Sequence, residues 1–438
     1  MPKVTVVGAG LAGSECAYQL ARRGIDVDLV EMKPEKFSPA HHSPDFGELV
    51  CSNSLRSNEL TNAVGLLKEE MRRMGSLILA SADRNRVPAG GALAVDREAF
   101  SRTITETLLA MPHVHLQRRE CTAVPEGTAV LATGPLTEGS LAEAIQNLCG
   151  GFDLHFYDAV APIVTKDSID MTKAYFASRY GKGGSEDYIN CPMNADQYSR
   201  FEEELCRAEQ APVHGFDDRG VFEGCMPVEV MARRGRDTLR FGPLKPVGLP
   251  DPRTGRDPYA VVQLRRDNAS GTLYNLVGFQ THLKWGEQRR VFSLIPGLEE
   301  AEFVRYGVMH RNTYLHSPGL LDRYYRLRSR PDLSFAGQIT GVEGYVESAA
   351  SGMLVGLETA ARLSGMEPVN FPPETAIGAL AAYVSQDSVG SFQPMNINFG
   401  LLPPLPVRVR GKRNKNLALS ERSLAELDKL REKEVFAL

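Results

Sequence analysis

Val4-Thr5-Val6-Val7-Gly8-Ala9-Gly10-Leu11-Ala12-Gly13 is the stretch that decides the fold. Its opening β-branched run reads as a short buried strand. Three glycines follow at once, and Ser14 to Arg23 then reads as a helix stopped by Gly24. A second strand, Asp26 to Val30, ends in Glu31, eighteen residues after the last glycine. A glycine triplet alone says little. Between a strand and a helix, trailed by an acid at the tip of the next strand, it is the opening of a dinucleotide-binding βαβ unit. Gly8 permits the tight turn, Gly10 lets backbone approach a pyrophosphate, and Gly13 lets the helix pack on the strand. The whole loop, Ala9, Leu11 and Ala12 included, faces the phosphates with the free N–H groups of the helix. Glu31 is placed to accept hydrogen bonds from ribose hydroxyls.

Outward from this unit the chain loses regularity. Lys33 to Asp45 holds three prolines and two histidines and reads as a loop, and Leu49-Val50 reads as strand leading into polar Cys51 to Asn58. Helices are expected over Ala63 to Met74 and Arg97 to Met111, and a strand over Ala129 to Gly134. From about Ala159 to Tyr325 the texture changes to Gly-Pro turns and short alternating segments, Ala260 to Leu264 and Thr272 to Phe279, with a helix at Ala195 to Ala208. The first texture returns at Leu333 to Gly337, followed by a turn at Gly341 to Gly344 and a helix from Glu347 to Leu363. Ser420 is a plausible N-cap for a last helix. The expected fold is α/β, a Rossmann-like domain at 1–158 and 326–438 interrupted by an α+β insertion at 159–325.

The choice between NAD and FAD is open on the first unit. The turn containing Thr133 and Gly134, and the returning segment with Gly337 and Gln338, favour FAD, whose extended form needs a second strand. A later helix N-terminus near Glu347 would face the flavin's pyrimidine carbonyl, where reduction places negative charge.

Composition bounds the rest. The 438 residues are 42% hydrophobic and 24% charged, ordinary for a globular protein and incompatible with wholesale disorder. Seven cysteines lie scattered without a Cys-x-x-Cys pair, which reads as reduced thiols in a cytoplasmic protein. Neither His41-His42 nor His113-x-His115 has the spacing of a metal site. The longest apolar run, Ala376 to Val384, is too short for a bilayer, and Glu15 interrupts any signal-peptide reading of the N-terminus.

Two cysteines stand in reactive settings. Cys51 lies at a polar edge near Arg56, and Cys225 lies between a glycine and Met226-Pro227. A thiolate beside positive charge is a competent nucleophile toward an electron-poor ring carbon. Cys191 is a third candidate, while Cys16, Cys121 and Cys149 read as small buried hydrophobes. The net charge of -4 hides an asymmetry. Residues 230–266 carry nine basic and three acidic side chains, and 407–419 carry five basic and none acidic. Arg233, Arg234, Arg236, Arg408 and Arg410 are therefore candidate contacts to a phosphate backbone.

Several blocks occur together: Gly8 to Glu15, Cys51 to Arg56, Phe222 to Pro227, Arg236 to Pro243, Asn275 to Thr281 and Gly337 to Tyr345. In these the chain resembles the folate- and FAD-dependent tRNA (uracil-5-)-methyltransferase family (TrmFO), from residue 1 to about 400. The resemblance implies a glutathione-reductase-like FAD domain and methylation of the T-loop uridine of tRNA at carbon-5. Methylenetetrahydrofolate is the implied carbon donor and NAD(P)H the reductant; the histidine spacing and the short apolar runs already argue for no metal and no membrane. It implies Cys225 as the nucleophile at uracil carbon-6 and Cys51 as its partner base or second thiol, roles that are open to exchange. Gly341, Glu343, Gly344 and Tyr345 join the implied flavin site, and His282 and Tyr345 are implied stacking partners for the flavin or pterin. A ribosomal RNA uridine as target, or an FAD-bearing RNA-binding protein without turnover, are the alternatives. The related wobble-uridine flavoenzymes extend into a long helical C-terminal domain that this chain lacks.

Overall fold

A computed structural model of the chain describes residues 3–150, 161–181, 184, 186–211, 226–268, 270–307, 312–387 and 392–432. At 155–159 and 309–311 it describes the backbone alone. Cys225 and its preceding loop lie outside the described residues.

The first strand, Lys3–Val7, is central because its alternating valines are buried on both faces of the sheet. It pairs in parallel with Asp26–Glu31 on one side and Ala129–Leu131 on the other. Val114–Arg118 extends the first side, Arg330–Phe335 the second, and a short antiparallel strand, Arg326–Leu327, closes that edge. The returning segment thus lies in the same sheet as the opening one. Helix Leu11–Ala21 packs on helix Tyr345–Leu363. Their approach is close enough that a Cβ on Gly352 would lie 2.1 Å from the carbonyl oxygen of Ala12.

A second sheet is antiparallel throughout, in the order 175–176, 188–193, 260–266, 273–276, 163–165, 303–305. Its alternation sorts the side chains. Ile189, Val262, Leu264, Tyr274 and Leu276 enter a separate core with helix Ala195–Arg207, whereas Asn190, Gln263, Arg265 and Asn275 take the opposite face. Tyr314, Leu315, Leu321 and Tyr325 belong to the core of the parallel sheet. The Rossmann-like α/β domain with an α+β insertion is therefore the observed architecture.

Two buried glutamates act as long-range caps. Glu15 accepts from the N–H groups of Leu77 and Ile78 at 3.3 and 3.0 Å, at the start of helix Leu77–Arg84. Glu70 accepts from Ala376 at 2.7 Å and Ile377 at 3.0 Å, at the start of helix Ala376–Val384, and also from the Ser423 hydroxyl. Each satisfies donors that a helix cannot satisfy itself.

Three local expectations are corrected. Leu49-Val50 is not strand; the strand there is Ser54–Ser57, because the preceding loop spends its carbonyls on arginines instead of a neighbouring strand. The last helix begins at Lys412, and Ser420 lies inside it, its hydroxyl donating to the Leu60 carbonyl at 2.7 Å. A tertiary contact, not a cap, accounts for that serine. The late helix starts at Tyr345, two residues before Glu347.

Candidate functional site

Gly8, Gly10, Leu11, Ala12, Glu31, Thr133, Gly134, Gly337, Gln338 and Tyr345 line one cavity of about 200 Å³. The parallel sheet makes this convergence, since the strand ends at 7, 31, 131 and 335 lie side by side along one edge. Gly13 serves from behind: a Cβ there would lie 1.8 Å from the Gly8 carbonyl oxygen, so only glycine lets the helix start against the turn. No side chain caps the helix at Gly10, and no acid occupies its first turn, which leaves its N–H groups to an anion. Glu31 is buried and accepts from Ala9 N at 2.8 Å and Lys33 N at 2.9 Å, fixing the turn from the far side of the cavity. An open phosphate cradle, an acid at one end and a second helix start at the other suit an extended dinucleotide. Ala9, Gly13 and Gly341 support these walls without lining them.

A second cavity, about 320 Å³, adjoins the first through the shared walls Val50, Pro135, Leu136, Gln338 and Tyr345. Cys51, Arg56, Glu343, Gly344 and, from the insertion, Arg265, Asn275 and Gln280 also line it. The loop carrying Cys51 is clamped from both domains. Arg97 donates to the carbonyls of Leu49 and Cys51 and pairs with Asp267 at 2.9 Å. Arg265 donates to Ser52 Oγ at 2.7 Å and Asn53 Oδ1 at 3.0 Å, and Arg305 to the Val50 carbonyl at 2.5 Å. All three guanidiniums interact electrostatically with Cys51. Tyr345 completes the clamp, its hydroxyl accepting from Cys51 N at 2.7 Å and Ser52 N at 3.3 Å. Positive charge around a thiol favours the thiolate.

The other described cysteines differ. Burial pushes the Cys16 and Cys191 thiols far up, both in fully enclosed positions. It pushes Cys149 and Cys206 up to about 11, and raises Cys121. Cys191 thus packs as a small hydrophobe.

Several expected residues lie elsewhere. His282 is buried in the insertion, its Nδ1 2.8 Å from Glu229 Oε1, and lines neither cavity. The buried Glu229 carboxylate draws it there, together with Thr281, whose hydroxyl donates at 2.8 Å. Arg233, Arg234 and Arg236 are exposed at the end of helix Val228–Arg233, and Arg408 and Arg410 are exposed ahead of the last helix. The first three thus share one region of surface, and no arginine of either group lines either of these two cavities. The charge count at 230–266 also needs dividing: Arg265 is buried in the clamp, while Arg240 and Arg253 are paired with Asp237 and Asp251.

Glu347, in the first turn of its helix, is paired with Arg56 and accepts from Ile397 N at 3.0 Å. Sequence reasoning missed Arg97, Arg305, Asn53 and Glu347 as parts of this site. None carried a local signal: Arg97, Arg305 and Asn53 act through contacts across the two domains, and Glu347 through Arg56 and Ile397, far from it in the chain. Among the described residues, no group of three or more His, Cys, Asp or Glu is placed to hold a metal ion. No described helix is long and apolar enough to cross a membrane.

This parallel sheet with its phosphate cradle, second strand return and insertion defines the Rossmann-like FAD-binding class. GidA from Aquifex aeolicus has the same fold in its form II crystal, with a TM-score of 0.70 at 16% identity, covering 100% of this chain and 74% of that one. The family model described as glucose inhibited division protein A matches residues 3–367. At the level of sequence, the methylenetetrahydrofolate–tRNA-(uracil-5-)-methyltransferase TrmFO of Lactiplantibacillus plantarum is 59% identical over 427 residues, 98% of this chain and 97% of the relative. The TrmFO of Desulforamulus reducens is 61% identical over 433 residues, 99% of this chain and 98% of the relative. The chain belongs to the TrmFO family.

Proposed function

We propose that this protein is a cytoplasmic, FAD- and methylenetetrahydrofolate-dependent methyltransferase that converts the T-loop uridine of tRNA to 5-methyluridine. Cys51 carries the reading: a cysteine at the junction of the dinucleotide cavity and an interdomain cavity, under three guanidiniums. In this division of labour, residues 1–158 and 326–438 hold the flavin, and residues 159–325 present the RNA.

FAD, when bound, supplies the redox relay between NAD(P)H and the one-carbon unit. The balance is uracil C5–H, methylenetetrahydrofolate, NAD(P)H and a proton giving 5-methyluracil, tetrahydrofolate and NAD(P)⁺. The phosphate cradle at Gly8 to Gly13 binds the cofactor, and Tyr345 with Arg97, Arg265 and Arg305 holds the Cys51 loop at its far end.

Cys225 and Cys51 form the thiol pair of the reaction. One adds to uracil carbon-6, which makes carbon-5 nucleophilic, and the other takes the carbon-5 proton. Cys225 is assigned the addition and Cys51 the proton. Val228, three positions after Cys225, donates to the Gln280 carbonyl at 2.7 Å, and Gln280 lines the second cavity. Arg233, Arg234, Arg236, Arg408 and Arg410 supply phosphate contacts outside it.

Purified protein with unmodified tRNA, methylenetetrahydrofolate and NADPH should form 5-methyluridine. Product from ribosomal RNA alone would move the target, and product from neither would reduce the protein to a flavin-bearing binder. Cys225→Ala and Cys51→Ala should each abolish product while leaving bound flavin; full activity in either removes that cysteine from the mechanism.

A further inference from the structure

Asn275 and Asn312 have no part in the roles above. Each is 2% exposed, and both line the second cavity. Among the described residues, neither amide nitrogen has a hydrogen-bond partner. A buried polar group without a partner is costly to keep, so two on the walls of one cavity mark positions shaped for an acceptor that arrives from outside.

Their placement ties them to Cys51. Asn275 is the register partner of Arg265 across an antiparallel pair, which puts the two side chains on one face of the sheet. Arg265 in turn holds Ser52 and Asn53, the residues that follow Cys51. Asn312 comes from a different strand, Met309–Thr313, and its neighbour Thr313 donates from the backbone to Pro135 at 2.7 Å, on the wall common to both cavities.

We propose that Asn275 and Asn312 grip the two carbonyl oxygens of the target uracil, O2 and O4, beside Cys51. The inference rests on the methylation reading and adds how the base is chosen and activated. A side-chain amide nitrogen is a donor, and uracil offers two carbonyl acceptors flanking N3. Cytosine replaces one of them with an amino group, so a donor would face a donor.

The same contacts assist the chemistry. As a thiolate adds its electron pair to carbon-6, the C5=C6 π pair moves toward the C4 carbonyl and negative charge develops on O4. An amide N–H already aimed at O4 binds this species more tightly than the ground state. Carbon-5 then bonds to the one-carbon unit, the unit's bond to its donor nitrogen breaks, and the two electrons of NAD(P)H bring it to the methyl level; the carbon-5 proton leaves to a base, the C5=C6 bond re-forms and the thiolate departs from carbon-6. The pyrimidine ring of flavin and the pterin of folate carry comparable amide edges, so the test must separate three sources.

Asn275→Leu and Asn312→Leu are to be assayed with a tRNA transcript, reading kcat, the KM for tRNA, the KM for methylenetetrahydrofolate and the flavin content. Each variant should keep its flavin and its folate KM and lose about 10²-fold in kcat/KM for tRNA. An unchanged kcat/KM for tRNA overturns the proposal. A loss seen in flavin content or folate KM overturns it as well, and gives the amides to the cofactor or the carbon donor.

If a variant fails to fold, the wild-type holoenzyme is given transcripts carrying 4-thiouridine or 2-thiouridine at the target position. Sulfur is the weaker acceptor, so both rates should fall about tenfold or more; rates equal to that of uridine overturn the proposal. A wild-type protein that makes no 5-methyluridine in any transcript refutes the methylation reading itself, a result distinct from a failure of the amides.

Discussion

Replacing Glu70 with glutamine sets two opposing effects against each other in one buried group. The carboxylate receives hydrogen bonds from Ala376 N, Ile377 N and Ser423, which favour its ionised form. Burial opposes them and wins, raising its pKa from 4.5 to about 7. At about 1.4 kcal/mol per pH unit, that displacement corresponds to roughly 3 kcal/mol. The sign follows from where the proton binds better. Between pH 4.5 and 7 the folded protein holds this proton more tightly than the unfolded chain. The group's stabilising contribution is therefore complete below pH 4.5 and lost as pH rises through 7. Glu70→Gln has no such titration. Its amide offers one acceptor to the two backbone donors and turns a donor toward the other, a fixed penalty of about 1–3 kcal/mol. Urea unfolding followed by circular dichroism from pH 4.5 to 8 should show the variant less stable at the acid end. It should then gain on the wild type by up to about 3 kcal/mol at the alkaline end. A stability difference that stays flat with pH, or moves against the variant, would show that the three hydrogen bonds outweigh burial and that the reasoning is wrong.

Gly13→Ala should yield protein without flavin, read as loss of the yellow flavin absorbance, because its Cβ would meet the Gly8 carbonyl at 1.8 Å and the phosphate turn must open. Retained flavin would mean that the helix start yields more easily than backbone contact allows. Tyr345→Phe removes the acceptor for Cys51 N and Ser52 N, freeing the Cys51 loop. Methylation should fall about tenfold, equivalent to about 1.4 kcal/mol, with the flavin spectrum unchanged. An equal loss of flavin would place Tyr345 in cofactor binding instead.

The glycine turn and its flanking strands were legible because their signals are local. β-Branched residues, glycines at fixed offsets and an acid at the next strand tip all act within about thirty residues of chain. The return of the same sheet near Leu333 was legible as well, since a strand buried on both faces is apolar wherever it occurs in the sequence. Ser420 shows the limit of such reasoning. A serine before an amphipathic run satisfies the rule for an N-cap, yet its hydroxyl was taken by the Leu60 carbonyl, 360 positions away in the chain.

The composition of the chemical site was another matter. By itself, the sequence determined a dinucleotide cradle, a pair of suggestive cysteines, and the family whose motifs they share. It could not distinguish Arg265, buried against the Cys51 loop, from Arg233, exposed on the surface, because a guanidinium has the same local signature in both places. Nor could it reveal that Asn275 and Asn312 share one cavity with Cys51, or that His282 turns inward to Glu229. Each of these facts depends on which face of a sheet meets which loop of the other domain. Register and packing settle that, and the contacts responsible are made between residues about 40 to 300 positions apart.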